Sequence, residues 1–224
     1  MRRYATLFFG LGAATVMFPV LAGGWTWMLA WIGAGFVAIG LAYAAALPGI
    51  FGKQGDGSMA LLNLALFAPH LLLTWVTWHV VRVVSQESPF DRLEDLVLAR
   101  RLFSNEMPDD VAVVVDLTAE FPEPSTITKG RTYHPMPILD GGIPELPLLK
   151  SFIVALPPSR TILIHCAQGH GRTAMVAACT LLERRLVPSA DAAVARILSA
   201  RPGARMNRAQ RAFVESYART LPSM

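Results

Sequence analysis

Cys166 and Arg172 stand six positions apart in the stretch TILIHCAQGHGRTAMVAA, residues 161–178. The cysteine ends a run of apolar, largely β-branched side chains, and the arginine opens an alanine-rich run with helical spacing. Where a buried strand passes into a helix, successive backbone N–H groups converge and the helix dipole adds positive potential. Gly169 and Gly171 let the backbone curl. The amides of Ala167, Gln168, Gly169, His170, Gly171 and Arg172 are thereby expected to face one phosphate-sized point. Arg172 adds a planar fork that matches two phosphate oxygens. A thiol on the floor of such a cradle is favoured as the thiolate, the attacking form. The chemistry that suits this spacing is nucleophilic attack by Cys166 on a bound phosphoryl group.

The chain supplies its own control. Cys179 and Arg185 repeat the spacing, but with no glycine between them, no strand before them, and Leu186 where Thr173 follows Arg172. That pair falls within a helical pattern and reads as packing, so the context of the cysteine carries the inference rather than the spacing.

The elements that must position the loop read as an α/β domain with a largely parallel sheet. EDLVLARRLF (94–103) reads as its first strand, and DVAVVVDLT (110–118), with four valines in five residues, as a buried one. FPEPSTITKG (121–130) is loop, RTYHPMPI (131–138) a strand, and TILIHC (161–166) a short apolar strand. Helices are predicted over 143–156, 174–186, 189–200 and 207–220, with Ser189 and Asn207 as N-caps. Strands alternating with helices argue the parallel sheet.

At this point the residues resemble a family. HCAQGHGRT (165–173) is similar to the signature loop of the cysteine-dependent protein tyrosine phosphatases, dual-specificity group. VVVDLTAE (113–120), HPMPILDGGIPEL (134–146) and ILSARPGARMNRAQRAFVESY (197–217) extend the likeness over roughly 88–220. The resemblance implies that Cys166 forms a phosphocysteine, that Arg172 clamps the equatorial oxygens, and that Thr173 stabilises the thiolate. It also implies a general acid at Asp140, 26 residues before Cys166 and followed by Gly141-Gly142. Asp116 and Glu120 are its competitors. His165 is expected to brace the loop, and His170 either reads substrate or faces solvent. Gln210 either positions water or is a surface residue, while Arg131 and His134 are candidates for a headgroup contact. No metal or other cofactor is expected. The loop has no lysine, which departs from the pattern expected of phosphoinositide 3-phosphatases. It departs too from the basic loop of mitochondrial phosphatidylglycerophosphate phosphatase. The rival readings are an inactive phosphate-binding membrane module and an anion-loop enzyme of the sulfurtransferase or arsenate reductase type.

The rest of the chain is of another character. No charged side chain occurs over 4–52 or over 57–81, and Lys53 and Asp56 stand between them. Apolar runs at about 4–22 and 25–47 are long enough to span a bilayer, with Trp25, Trp27 and Trp31 near their turn. A third run, about 59–81, carries Asn63, Pro69, His70 and His79 and reads as an embedded helix. With two spans, Arg2, Arg3, Lys53 and Arg82 fall on one side, which by the positive-inside rule is cytoplasmic. A spanning third run and a cleaved signal ending at VLA (20–22) are the alternatives. The organisation expected is a multi-pass membrane segment, 1–85, followed by a phosphatase domain, 86–224. The latter holds 16 basic and 15 acidic residues, too balanced for a nucleic-acid partner. The partners expected are a lipid bilayer and a phosphorylated protein or phospholipid substrate.

Overall fold

A computed structural model describes residues 2–158 and 160–222. The chain forms two compact units. The first comprises Met1–Gln54, Ser58–Ser85 and Ala119–Pro122, and the second Gly55–Gly57, Gln86–Thr118 and Glu123–Met224.

The first unit is helical. α1 (Arg2–Ala22) turns through Gly23 and Gly24, both at positive φ, and a 3-10 turn into α2 (Met28–Ala45). The two pack at small residues: a side chain on Gly12 would meet Val37 Cγ2 at 2.6 Å, and one on Gly33 would meet Val16 Cγ2 at 2.6 Å. Such close approach is how apolar helices associate when no hydrophobic gain separates partner from surroundings. α1, and α2 with its preceding turn, are long and apolar enough to cross a membrane. The third apolar run is not one helix. It divides at Phe67 into α3 (Leu61–Leu66) and α4 (Ala68–Val84), with Pro69 in the first turn of α4, where its missing N–H costs nothing.

The second unit carries a five-stranded sheet of order β1-β2-β5-β3-β4, from β1 (Phe90–Leu93), β2 (Leu96–Arg100), β3 (Val113–Thr118), β4 (Thr132–Ile138) and β5 (Ile162–Cys166). All pairs are parallel except β1 with β2. The expected first strand is thus the second arm of a hairpin, turned at Glu94 with φ 57°. The single-turn α5 (Ser125–Thr128) lies between β3 and β4, α6 (Leu146–Ala155) between β4 and β5, and α7 (Gly171–Glu183), α8 (Ala190–Ala200) and α9 (Arg208–Arg219) follow β5. Strand alternation divides the core. Leu96, Leu98, Val113, Val115, Ile162 and Ile164 pack with α6, α7, α8 and α9, whereas Val97, Ala99, Val114 and Leu163 pack with Ile127 of α5 and with Leu102 and Val111. Ser189 and Asn207 cap α8 and α9 as expected, accepting from Ala192 N and Gln210 N. α6 starts three residues later than the spacing suggests and α7 three residues earlier. The second shift places the helix N-terminus at the glycine loop itself.

Candidate active site

β5 lies between β2 and β3, so its carboxyl end opens onto the middle of the sheet edge, where parallel α/β sheets take their ligands. Cys166 is the last residue of β5, buried, and paired in register with Arg100. Residues 167–170 then curl back to Gly171. Three successive carbonyls of this curl are held from outside. Arg101 N donates to Ala167 O at 3.2 Å, and the buried Arg201 donates to Gln168 O at 3.5 Å and Gly169 O at 2.8 Å. Across each planar peptide the N–H points opposite its carbonyl. The amides of Gln168, Gly169 and His170 are therefore turned to the inner side. Gly169, at φ 71°, has Ala99 C and O and Arg100 N at 2.6 Å from where a side chain would begin. Backbone cannot give way there, so glycine is required.

Arg172 sits in the first turn of α7 and is 2 % exposed. Its Nη1 donates to Ile138 O at 2.8 Å and Leu117 O at 3.4 Å, and its Nη2 lies 3.1 Å from Asp140 Oδ1. The ends of β3 and β4 thus hold the guanidinium through two backbone carbonyls. Asp140, with its side chain 53 % exposed, reaches the same guanidinium from the turn after β4. That turn closes by Gly142 N to Leu139 O, with Gly141 at φ 67°. It is pinned to the start of α9 by Asn207 Nδ2 to Gly141 O (2.8 Å) and Gln210 Nε2 to Gly142 O (3.2 Å). The structure therefore brings the Cys166 loop, Arg172 and Asp140 to one place. Thr173 hydroxyl is placed with Ala99 O, 3.5 Å away beneath the loop.

Gln210 is neither a surface residue nor open to water. It is buried, completes a capping box with Asn207, and lies against Gly171, 2.6 Å from a side chain that glycine lacks. The capping pattern N-R-A-Q was readable in the sequence; its partners in a turn 68 residues earlier were not. Arg131 and His134, the candidates for a headgroup contact, are engaged within the domain. Arg131 donates to Val111 O and Ile127 O, at the amino end of the strands and away from the loop. His134 sets its ring edge-on to Phe152.

Behind the loop, the buried Asp116, Glu123 and His165 bring possible ligand atoms within 4.8 Å of one another. Protein donors supply the compensation a metal would give: Thr118 N and Oγ1 and Tyr133 Oη bond Asp116, and Arg101 pairs with Glu123 at 3.2 Å. Burial and the Asp116 charge push the Tyr133 hydroxyl far above its ordinary range. Asp116 is thus a structural anchor, with His165 Nε2 3.8 Å from it. His170, on the loop itself, is 2.6 Å from Glu87.

Cys179 lies in the middle of α7, and burial, followed by the charge of Glu183, pushes its thiol far above the ordinary range. Cys179→Ser is expected to leave kcat/KM within about twofold while costing about 1–2 kcal/mol of stability for the buried hydroxyl. Steady-state kinetics and a denaturant titration read the two effects separately.

Residues 100–218 match the family model described as PTP-SAK, Swiss Army Knife protein, DSP-PTPase phosphatase domain. Among solved structures, the chain is similar to a variant of human DUSP28, at 21% identity over 59% of this chain and 96% of that one, TM-score 0.51. It is similar to Tk-PTP in its active form, at 22% identity over 59% and 98%, TM-score 0.53. It is also similar to PTPMT1 in complex with PI(5)P, at 16% identity over 59% and 96%, TM-score 0.51. No curated protein matches the sequence.

Proposed function

Because the chain belongs to the Swiss Army Knife DSP-PTPase phosphatase-domain family over residues 100–218, we propose that it hydrolyses phosphomonoesters at a membrane through a phosphocysteine on Cys166. The observation that carries this reading is Arg172: one guanidinium six residues from Cys166, fixed by two strand-end carbonyls and in reach of Asp140. The phosphoryl oxygens sit among the loop amides and on Arg172, which stabilise the charge that spreads over them as the ester breaks. Cys166 sulfur forms a bond to phosphorus while the bond from phosphorus to the ester oxygen breaks, and Asp140 gives that oxygen its proton. The carboxylate then takes a proton from water as the water oxygen attacks phosphorus. The S–P bond breaks, and thiolate, inorganic phosphate and protonated Asp140 are restored. Thr173 acts on the thiolate side of this cycle.

The membrane part of the reading rests on α1 and α2, both of spanning length, with the phosphatase domain on the cytoplasmic side. Only residues 85–89 separate the end of α4 from β1, so the tether raises the effective concentration of any phosphorylated group at that surface. A phosphorylated membrane protein and a phospholipid headgroup both fit. Purified full-length protein in vesicles, assayed against phosphotyrosine peptide and phosphatidylglycerophosphate in the presence of EDTA, tests the reading. Phosphate release from at least one of them is expected, undiminished by the chelator. Release from neither, or activity restored only by a divalent ion, would overturn it.

A further inference from the structure

We propose that Glu87 is a positioning residue for the phosphate-binding loop, bracing it from the tether through the imidazole of His170. The inference rests on residues 166–172 being that loop. Glu87 stands three residues beyond Val84, the last of α4, yet its Oε2 is 2.6 Å from Nε2 of His170, 83 positions later. His170 is the residue that hands the loop to α7. The residues that follow, Ser88 at the end of the tether and Asp91 in β1, connect to the loop through Arg201. Ser88 O accepts from Arg201 Nη1 at 3.3 Å, Asp91 pairs with the same nitrogen at 2.6 Å, and Nε of Arg201 holds Gly169 O. Two adjacent loop residues are thus fastened to one short stretch of chain, Gly169 by way of Arg201 and His170 directly.

The surroundings are built for this carboxylate. The hydrogen bond from His170 is the main cause holding the Glu87 carboxyl below its ordinary range, against partial burial, with the charges of His170, Arg201 and Arg205 adding to it. Room for it comes from Gly203, where a side chain would begin 2.6 Å from Glu87 Cδ and Oε1. A carboxylate at the rim of an anion site also repels the anion. Repulsion and bracing therefore predict opposite signs when Glu87 is removed.

The test is inorganic phosphate binding to the full-length protein by titration calorimetry, with KM and kcat for an aryl phosphate alongside. Glu87→Ala is expected to weaken phosphate binding and raise KM by about 3- to 5-fold, the scale of a partly exposed charged pair. Its kcat is expected to stay within about twofold, since no group in the bond-breaking step is lost. Glu87→Gln keeps an oxygen that accepts from the imidazole and is expected to recover most of the loss. Gly203→Ala keeps the charge but displaces the flexible end of Glu87, so it is expected to match Glu87→Ala and to add nothing to it in the double variant. Tighter phosphate binding in Glu87→Ala, unchanged binding in both single variants, or additive losses would overturn the proposal. A parent that binds phosphate without turning over any ester would sink the phosphatase reading and leave Glu87 decided by the calorimetry. A parent that binds no phosphate would sink both.

Discussion

Cys166→Ser is expected to abolish turnover while phosphate binding survives. The substitution exchanges sulfur for oxygen at a buried position, with little change of volume and with the backbone of β5 unaltered. The carbonyl contacts from Arg101 and Arg201 that shape the loop do not involve the side chain, and neither do the bonds that aim Arg172. What is lost is the proposed nucleophile. A serine hydroxyl with no adjacent base stays protonated at neutral pH and attacks phosphorus poorly. The loss in kcat is expected to be on the order of 10⁵-fold or more, the scale on which removal of a covalent nucleophile is felt. Inorganic phosphate should bind within about threefold of the parent, because the backbone amides of the loop are unchanged. Calorimetry and an aryl phosphate assay on one preparation check both halves. Residual hydrolysis above about a hundredth of the parent rate would take the nucleophile away from Cys166.

The parts of this site that were legible in the sequence are those determined locally. The apolar run that ends in Cys166 reads as a buried strand because every one of its side chains from Ile162 onward is buried. Ser189 and Asn207 read as caps because a cap bonds its own helix within three residues. Gly169 and Gly171 mark the curl in the sequence, though the grounds for them, the backbone contact of Gly169 with Ala99 and the approach of Gln210 to Gly171, are matters of tertiary packing. The fold was misread where local signals are weak. β1 is four residues long and its middle two are charged, so Phe90-Asp91-Arg92-Leu93 offers no apolar alternation to read. α7 begins three residues early because Gly171, Arg172 and Thr173 resemble loop; their helical state comes from the burial of α7 in the core. The residues that position the loop were not legible at all. Arg201 meets its carbonyls 32 and 33 residues away, Gln210 its carbonyl 68 away, and Glu87 its histidine 83 away. Nothing in the spacing of an arginine, a glutamine or a glutamate foretells such pairings.

Asp140→Asn is expected to separate two kinds of substrate. If Asp140 protonates the departing oxygen, an alkyl or tyrosyl phosphate loses about 10²–10⁴-fold in kcat, the usual contribution of general acid catalysis. An aryl phosphate whose phenol is strongly acidic departs without a proton and loses less than about tenfold. Asparagine is nearly isosteric and its amide oxygen still faces Arg172, so the turn held by Asn207 and Gln210 keeps its shape. The competitors have partners of their own. Asp116 is fully buried, with its oxygens bonded by Thr118 and Tyr133, and the Glu120 carboxylate is turned to the neighbouring Ala119 N–H. An equal loss on both substrates would make Asp140 a partner that only orients Arg172, and the same leaving-group comparison would then pass to Glu120. The unequal loss is the expected result, because the Asp140 carboxylate reaches the Arg172 guanidinium while its side chain stays 53 % exposed.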